Sequence, residues 1–342
     1  MVNQTIVNNN FNGDFSVIIT HRISNGYELQ TPIVEDGVKW ETDRQGSPGK
    51  LTFKVYKDKN GNLSFTEGDG VVLKYHDYNN GWVTIFSGYI FTKKRSKDGW
   101  IEVTAFDPLR YFKNKATYVY TDKKASDVIK MIANDYKLPV GTVEDSSYVI
   151  GSRVEDNQSL FDIIQNALDL TLISSNKMYV LYAEDGKIQL RDANNMKLNL
   201  VLDSSVAENF DYTSSIDDQT YNEIELYYDN DETNKREYYH EIDETNVGNW
   251  GRLRYTESVQ NPANAQDRAK KMLQLYNRKT RQLKVNGAFG DYHCRAGSSV
   301  IVNLDLGDIN VANYMLVEKA THTFKKDEYR MDLTLSNAEF SV

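Results

Sequence analysis

Period-two alternation recurs along this chain and restricts its fold more than any other feature. In Lys50-Leu51-Thr52-Phe53-Lys54-Val55-Tyr56, and again in Trp100-Ile101-Glu102-Val103-Thr104-Ala105-Phe106, apolar and polar side chains alternate. Successive side chains of a strand point to opposite faces, so each segment reads as an antiparallel strand with one dry and one wet face. Turn signals fall between such segments at Asp58-Lys59-Asn60-Gly61, Asn79-Asn80-Gly81 and Asp98-Gly99, where Gly or Asn takes the positive φ of a tight hairpin. Twenty-three Tyr, 13 Phe and 4 Trp against 5 Pro agree, because aromatic side chains suit a pleated, half-buried surface. Residues 1–115 are expected to form a β-barrel or sandwich.

The period changes near Thr121. Val128, Ile129, Ile132 and Tyr136 recur at helical spacing, and Leu138-Pro139-Val140-Gly141 ends the run. A second helix carries one apolar stripe of Leu160, Ile163, Ile164, Ala167 and Leu168, with Asn157 or Ser159 as its cap. Segments 178–183 and 187–191 flank Glu184-Asp185-Gly186 and read as a hairpin, so residues 116–204 form a small α+β unit. A third helix is expected from Asn261-Pro262, with Asn as cap and Pro at the first helical position, through Ala265, Ala269, Met272 and Tyr276. Alternating strands return at 299–304, 314–324 and 329–335, with a turn at Lys325-Lys326-Asp327-Glu328. Ile101-Glu102-Val103-Thr104 and Met331-Asp332-Leu333-Thr334 share one pattern, and Lys93-Lys94 and Lys325-Lys326 precede them within a hairpin, as either an internal duplication or two unrelated amphipathic hairpins would leave.

The 342 residues suffice for two to three domains at about 150 residues each. No apolar run reaches the roughly 18 residues of a membrane span, and the Asn-rich start, Met1 to Asp14, lacks the basic flank and apolar core of a signal peptide. Neither export nor anchoring is expected. One cysteine, Cys294, excludes an internal disulfide and fits synthesis in a reducing compartment. The formal charge of −9 argues against a nucleic-acid surface, which would be basic. Residues 205–261 hold 14 acidic and 4 basic side chains, a local charge of −10 that accounts for the whole excess.

A search for chemistry assigns no catalytic, cofactor-binding or metal-ligating residue. His21, His76, His240, His293 and His322 are scattered, with no pair at the i, i+4 spacing that puts two imidazoles on one helix face. His293 and Cys294 are adjacent in an expected strand, so they point apart and cannot act together as nucleophile and base. Gly46-Ser47-Pro48-Gly49-Lys50-Leu51 lacks the first Gly of a phosphate loop, Arg44 standing there, and no Ser or Thr follows Lys50. The Asp58–Asp69 stretch departs from a calcium loop, with Gly at position 4 and Asp at 12, and reads as a solvated turn. Asp229-Asn230-Asp231-Glu232 reads as a solvated face, with ion binding as the alternative. No Gly-x-Ser-x-Gly elbow occurs, Ile150-Gly151-Ser152-Arg153 lacking its flanks, and no carboxylate pair stands out for glycoside hydrolysis.

Taken in order, several strings resemble one family. They are 40–53 with Gly46 and Gly49-Lys50-Leu51-Thr52-Phe53, then Gly88-Tyr89-Ile90-Phe91, then Val103-Thr104-Ala105-Phe106-Asp107-Pro108-Leu109-Arg110-Tyr111. Segments 153–172 and 178–182 follow, with Tyr276-Asn277-Arg278-Lys279-Thr280-Arg281, Arg295-Ala296-Gly297-Ser298-Ser299-Val300 and 314–324. Their order and spacing resemble the baseplate hub proteins of contractile phage tails and of headless tail-like bacteriocins, in particular the hub of PBSX-like defective prophages. The resemblance spans nearly the whole chain; His293-Cys294 departs from it, where less polar or basic residues would be expected.

The resemblance implies a β-rich α+β chain with two similar antiparallel β-barrels and a small α+β middle domain. The first barrel would be residues 1–115, the middle domain 116–204 with 232–282, and the second barrel 205–231 with 283–342. Three chains would form a homotrimeric ring of six barrels, pseudo-sixfold towards the hexameric tail tube and threefold towards the trimeric central spike. Its partners would be the tube protein, the spike and other baseplate proteins, with no stable nucleic-acid binding, no membrane insertion, no cofactor and no enzymatic activity. The particle would assemble in the bacterial host cytoplasm and leave by lysis. Acidic residues among Asp217, Asp218, Asp229, Asp231 and Glu232 would face the ring lumen, where they would repel nucleic acid. The alternatives are a tail-associated peptidoglycan hydrolase and, on Tyr content alone, a carbohydrate-binding module.

Overall fold

The computed structural model describes residues 5–9, 14–35, 37–56, 63–203, 205, 208–217, 219–305 and 310–337. The expected turn at Asp58-Lys59-Asn60-Gly61, the start of the Asp58–Asp69 stretch, and Asp218 lie outside the described residues. The fold is β-rich, with antiparallel sheet dominant, as the alternation requires.

The chain begins with β1 (Thr5–Asn9), β2 (Phe15–Ile23), β3 (Gly26–Thr31), β4 (Val38–Asp43), β5 (Lys50–Tyr56), β6 (Gly70–Asp77), β7 (Gly81–Arg95) and β8 (Trp100–Phe106). They pair in the order β1-β3-β2-β6-β7-β8-β5-β4. Residues after β3 return to β5, the Tyr56 amide donating to the Ile33 carbonyl (3.2 Å) and the Glu35 amide to the Lys54 carbonyl (2.9 Å), which closes the sheet into a barrel. Its inward positions, among them Phe15, Val17, Ile19, Leu51, Phe53, Val71, Leu73, Ile90 and Val103, form one core. Each such side chain contributes about 1.5–3 kcal/mol by leaving water.

A middle unit follows. It holds β9 (Lys115–Lys123), α1 (Ala125–Asp135), β10 (Val140–Val143), β11 (Ile150–Ser159), α2 (Leu160–Ser175), β12 (Tyr179–Glu184) and β13 (Lys187–Asp192). Ser159 caps α2 by accepting from the Asp162 amide, and the β12–β13 turn places Asp185 and Gly186 at positive φ. The rest of the chain is β14 (Lys197–Asp203), β15 (Asn209–Ser215), β16 (Glu223–Asn230), β17 (Lys235–Ile242), α3 (Glu244–Trp250), β18 (Arg254–Ser258), α4 (Ala265–Tyr276), β19 (Thr280–Phe289), β20 (Ser299–Asp305), β21 (Asn310–Lys325) and β22 (Glu328–Asn337). A second set of strands pairs as β14-β20-β21-β22-β19-β15 around a core that includes Leu283, Val285, Val300, Val302, Val317, Leu333 and Leu335.

Strand for strand, the two sets match. β4-β5-β8-β7-β6 in the first has the connectivity of β15-β19-β22-β21-β20 in the second, apart from the insertion of β16 to α4 between β15 and β19. Each long strand bulges at the same place, β7 between Ile90 and Thr92 and β21 between Val317 and Lys319. Ahead of each bulge the same turn recurs. The Gly68 amide donates to the Ile90 carbonyl and the Ile90 amide to Asp69; likewise the Gly297 amide donates to Val317 and the Val317 amide to Ser298. Asp69 and Ser298 cap these turns, accepting from the Thr66 and Arg295 amides, and Gly68 and Gly297 both have φ of +92°. The Thr104 and Thr334 pairing partners then align Ile101-Glu102-Val103-Thr104 with Met331-Asp332-Leu333-Thr334. Lys93-Lys94 corresponds instead to Ala320-Thr321, because Lys325-Lys326 lies at the hairpin turn.

Other expectations need correction. Glu223–Asn230, assigned above to the second barrel, pairs with β17 and β18 because Ile224 and Leu226 bury against Ala269 and Met272 of α4. Lys197–Asp203, assigned to the middle domain, pairs with β20 of the second set. The third helix begins at Ala265 rather than Pro262: Asn261 accepts from the Ala263 amide in a local turn, and Asn264 at φ +63° interrupts the helical run. His293-Cys294 occupies a turn, not a strand.

Gly68 has open space where a Cβ would stand, whereas a Cβ on Gly297 would lie 2.3 Å from Val180 Cγ1. Gly68→Ala is therefore expected to cost about 1–2 kcal/mol of backbone strain, and Gly297→Ala about 1–3 kcal/mol more from overlap. Urea unfolding of the two variants measures the difference.

Candidate assembly interface

Described residues do not gather chemistry at one point. No group of three or more His, Cys, Asp or Glu is placed to hold a metal ion among them. Each histidine has its own surroundings: His21 Nδ1 lies 2.7 Å from Asp69, His76 meets Trp82 edge-on, His240 Nε2 lies 2.7 Å from Glu223, and His293 Nδ1 lies 2.9 Å from Asp291. The Cys294 thiol is buried away from exposed His293, and burial pushes it up to about 12, so it stays a protonated core group. Asp217, Asp231 and Glu232 are exposed, and Asp229 is held by Arg236 through two hydrogen bonds (2.6 and 2.9 Å). Asn230 accepts from the Glu232 and Thr233 amides, which makes 229–232 the β16–β17 turn.

Buried polar chemistry is concentrated at the seam between the barrels. Here β4 pairs antiparallel with the second half of β21, Val38 opposite Phe324, Trp40 opposite His322 and Asp43 opposite Lys319. Phe324 reaches into the first barrel's core. His322 is fully buried and stacks on Trp40 with ring centroids 4.8 Å apart. Its Nε2 donates to the Cys294 carbonyl (2.7 Å), and the Tyr329 hydroxyl donates to Nδ1 (2.8 Å). Those partners select the neutral Nε2–H tautomer, and burial depresses the imidazole to about 4. Beside it Arg295 lies over Tyr182 (4.2 Å) and donates to the Ala183 carbonyl (3.0 Å), which ties the seam to the middle unit. The Ala296 amide donates to Thr42 Oγ1 (2.9 Å).

At its outer end the seam is ionic. Arg44 makes two hydrogen bonds to Glu318 (2.7 and 3.3 Å), Ser336 donates to the same carboxylate, and Lys319 pairs with Asp43 (3.0 Å). Asp107, following β8, accepts from the Gly49 and Leu109 amides (2.8 and 3.0 Å). A Cβ on Gly49 would lie 2.5 Å from that carboxylate, so only glycine fits. Burial raises the Asp107 carboxyl to about 7, against the pull of the Gly49 amide and of Arg295. A cleft of about 420 Å³ opens between seam and middle unit, lined by Arg44, Gln165, Asp169, Tyr221, Tyr276 and Arg281 among others. Gln165 donates to Asp169 (2.7 Å), whose carboxyl is raised by burial. The arrangement is a binding architecture that locks one barrel onto the next. Arg295, Asp107 and Gly49 belong to the strings that carried the resemblance, but their meeting at the seam, like that of Trp40 with His322, has no sequence signal, since the partners come from distant segments.

Two like barrels sutured through one strand pair, with a helical unit alongside, make the fold of phage tail proteins. The 43 kDa tail protein of prophage MuSo2 from Shewanella oneidensis superposes with a TM-score of 0.66 at 10% identity, covering 95% of this chain and 99% of its own. The YQBQ-like family model matches residues 38–336, and the chain belongs to that family. Two proteins of Bacillus subtilis strain 168 are similar over 310 residues and 88% of this chain. One is the uncharacterized protein YqbQ, at 28% identity over 91% of its length; the other is the phage-like element PBSX protein XkdQ, at 27% over 92%. The resemblance to PBSX-like prophage tail proteins therefore holds.

His322 is neutral in the fold but takes a proton near pH 6.5 once unfolded, so its contribution is complete above 6.5 and is lost as the pH falls to about 4. Asp107 acts oppositely, its contribution falling as the pH rises from 3.8 to about 7. The stability difference between wild type and His322→Gln should grow by about 3 kcal/mol from pH 4 to 6.5 and then stay level. Urea titrations at several pH values test this; a flat difference would contradict it.

Proposed function

We propose that this chain is the structural hub of a contractile-tail baseplate. Three copies form a ring that adapts a hexameric tail tube to a trimeric central spike. The duplicated barrel carries this reading: two like barrels per chain make six per trimer, so one face repeats six times while the other repeats three times. Residues 1–115 serve as the first tube-facing barrel. The second barrel comprises most of 205–231 and 283–342, with β14 added and β16 given to the middle domain. That middle domain, 116–204 with 232–282 less β14 and plus β16, meets the spike and neighbouring baseplate proteins. Binding, not turnover, is the activity, with loads carried by strand edges and buried seams.

The acidic stretch supports a lumen lining. Exposed Asp217, Asp231 and Glu232 present negative charge that repels a nucleic acid passing through the ring, while Asp229 is partly neutralised by Arg236. Particles carrying the hub assemble in the host cytoplasm and are freed by lysis.

Light scattering of the purified chain, alone and with its spike, tests the reading. A mass near three times 39.3 kDa in either sample is expected. A chain that stays monomeric with the spike and clears cell-wall substrate in a zymogram overturns it in favour of a hydrolase.

A further inference from the structure

We propose that the strand junction joining the two barrels inside one chain is repeated between chains: β15 of one copy pairs antiparallel with the end of β7 of the next. This deepens the trimer reading above and rests on it. The internal junction is heterologous, using the outer edge of β4 and the part of β21 that runs past β20. A heterologous contact leaves one copy of each surface unused, and repetition of that contact closes a ring or grows a filament.

Among the described residues both unused surfaces are open. By connectivity β15 is the second barrel's counterpart of β4, with Tyr212 opposite Leu283 as Trp40 is opposite Leu51. Among the described residues it ends the sheet path and pairs with β19 alone. The counterpart of 319–324, counted from the shared bulge, begins at Thr92. There β7 has left β6, whose last partner is Tyr89, and among the described residues it pairs with β8 alone. Thr92, Lys94 and Arg95 are exposed, as are Asp211, Thr213 and Ser214. Unpaired edges of this kind are sites for another strand.

Transferring the internal register puts Ser215 opposite Thr92, Thr213 opposite Lys94 and Tyr212 opposite Arg95 of the next copy. The chemistry is compatible at each step. Tyr212 and Arg95 replace the Trp40–His322 stack with an aromatic ring and a cation. One residue outward, Ile216 and Phe91 replace the Arg44–Glu318 ion pair with two apolar side chains. Asp211 falls opposite Ser96 and beside Lys94, Arg95 and Lys97, so cations outnumber the one acidic neighbour, Asp98 of the following turn. A second copy of this chain is therefore the occupant that both edges fit.

The test is a cross-link in the full chain carrying Thr213→Cys and Lys94→Cys, with native mass measured first under reducing conditions. Opposed residues in an antiparallel pair are close enough for a disulfide, and buried Cys294 stays inert. Mild oxidation should convert the trimer into covalent dimers and trimers on a non-reducing gel, while each single-cysteine variant gives none. Ser215→Cys with Thr92→Cys reads the same register should the first pair perturb assembly. Asp211→Arg should weaken self-association about tenfold or more, and Lys94→Glu in the same chain should restore it. A chain of trimer mass that neither pair cross-links overturns this junction and leaves the trimer standing. A chain that stays monomeric with its spike overturns both.

Discussion

Pairing β4 with β21 closes a loop whose ends, at Arg44 and Glu318, are 274 residues apart. The length-dependent part of that closure costs about 5 kcal/mol, more than a few backbone hydrogen bonds return in water at about 0.5–1.5 kcal/mol each. Apolar burial at the seam makes up the difference. Val38, Trp40 and Phe324 are almost completely buried there, at about 1.5–3 kcal/mol for side chains of this kind. Of the polar groups trapped beside them, His322 is held on both ring nitrogens by a carbonyl and a hydroxyl. Arg295 is held by the Ala183 carbonyl and the Tyr182 ring face but leaves its Nε without a partner, so the seam gives back part of that gain at this one donor. The middle unit is attached at the same place through Ala183 and Tyr182, which makes this small region the joint where three parts of the molecule meet.

Duplication and divergence are both visible in this arrangement. Backbone features that set strand direction, the bulge and its Gly turn, persist in both barrels because changing them would re-aim a whole strand. Side chains between those fixed points differ freely: Asp69 caps one turn and Ser298 the other, and Phe65 occupies the core position that Cys294 takes in its counterpart. A ring of like barrels with unlike surfaces can present a near-sixfold face to one neighbour and a threefold face to another.

Half-buried strands were legible in the sequence because period two records which side is dry. The segments 50–56 and 100–106 are strands over those bounds, with alternating burial throughout. Ser159 and the Asp185-Gly186 turn were legible for a similar local reason, a cap and a positive φ needing particular residues. Sheet membership was not. β16 alternates like a barrel strand, and only its packing on α4 separates it from one. Helix α3 buries none of its residues, so it left no stripe to read, and Asp243 at its cap was one acidic residue among many. At the seam, Trp40, Asp107, Arg295 and His322 each look ordinary in sequence, because their burial arises from partners that no local period records.

Phe324 has a consequence for the order of folding. It completes the core of the first barrel, yet it and Tyr329, which stacks on it, are synthesised long after the other residues of that core. A nascent first barrel therefore carries an unfilled apolar position and an uncovered β4 edge through most of translation, as folds dominated by distant contacts do. Chains interrupted before β21 retain that defect and cannot present a finished barrel to a neighbour. Completion of the polypeptide thus decides whether the first barrel is whole, a form of quality control written into the topology.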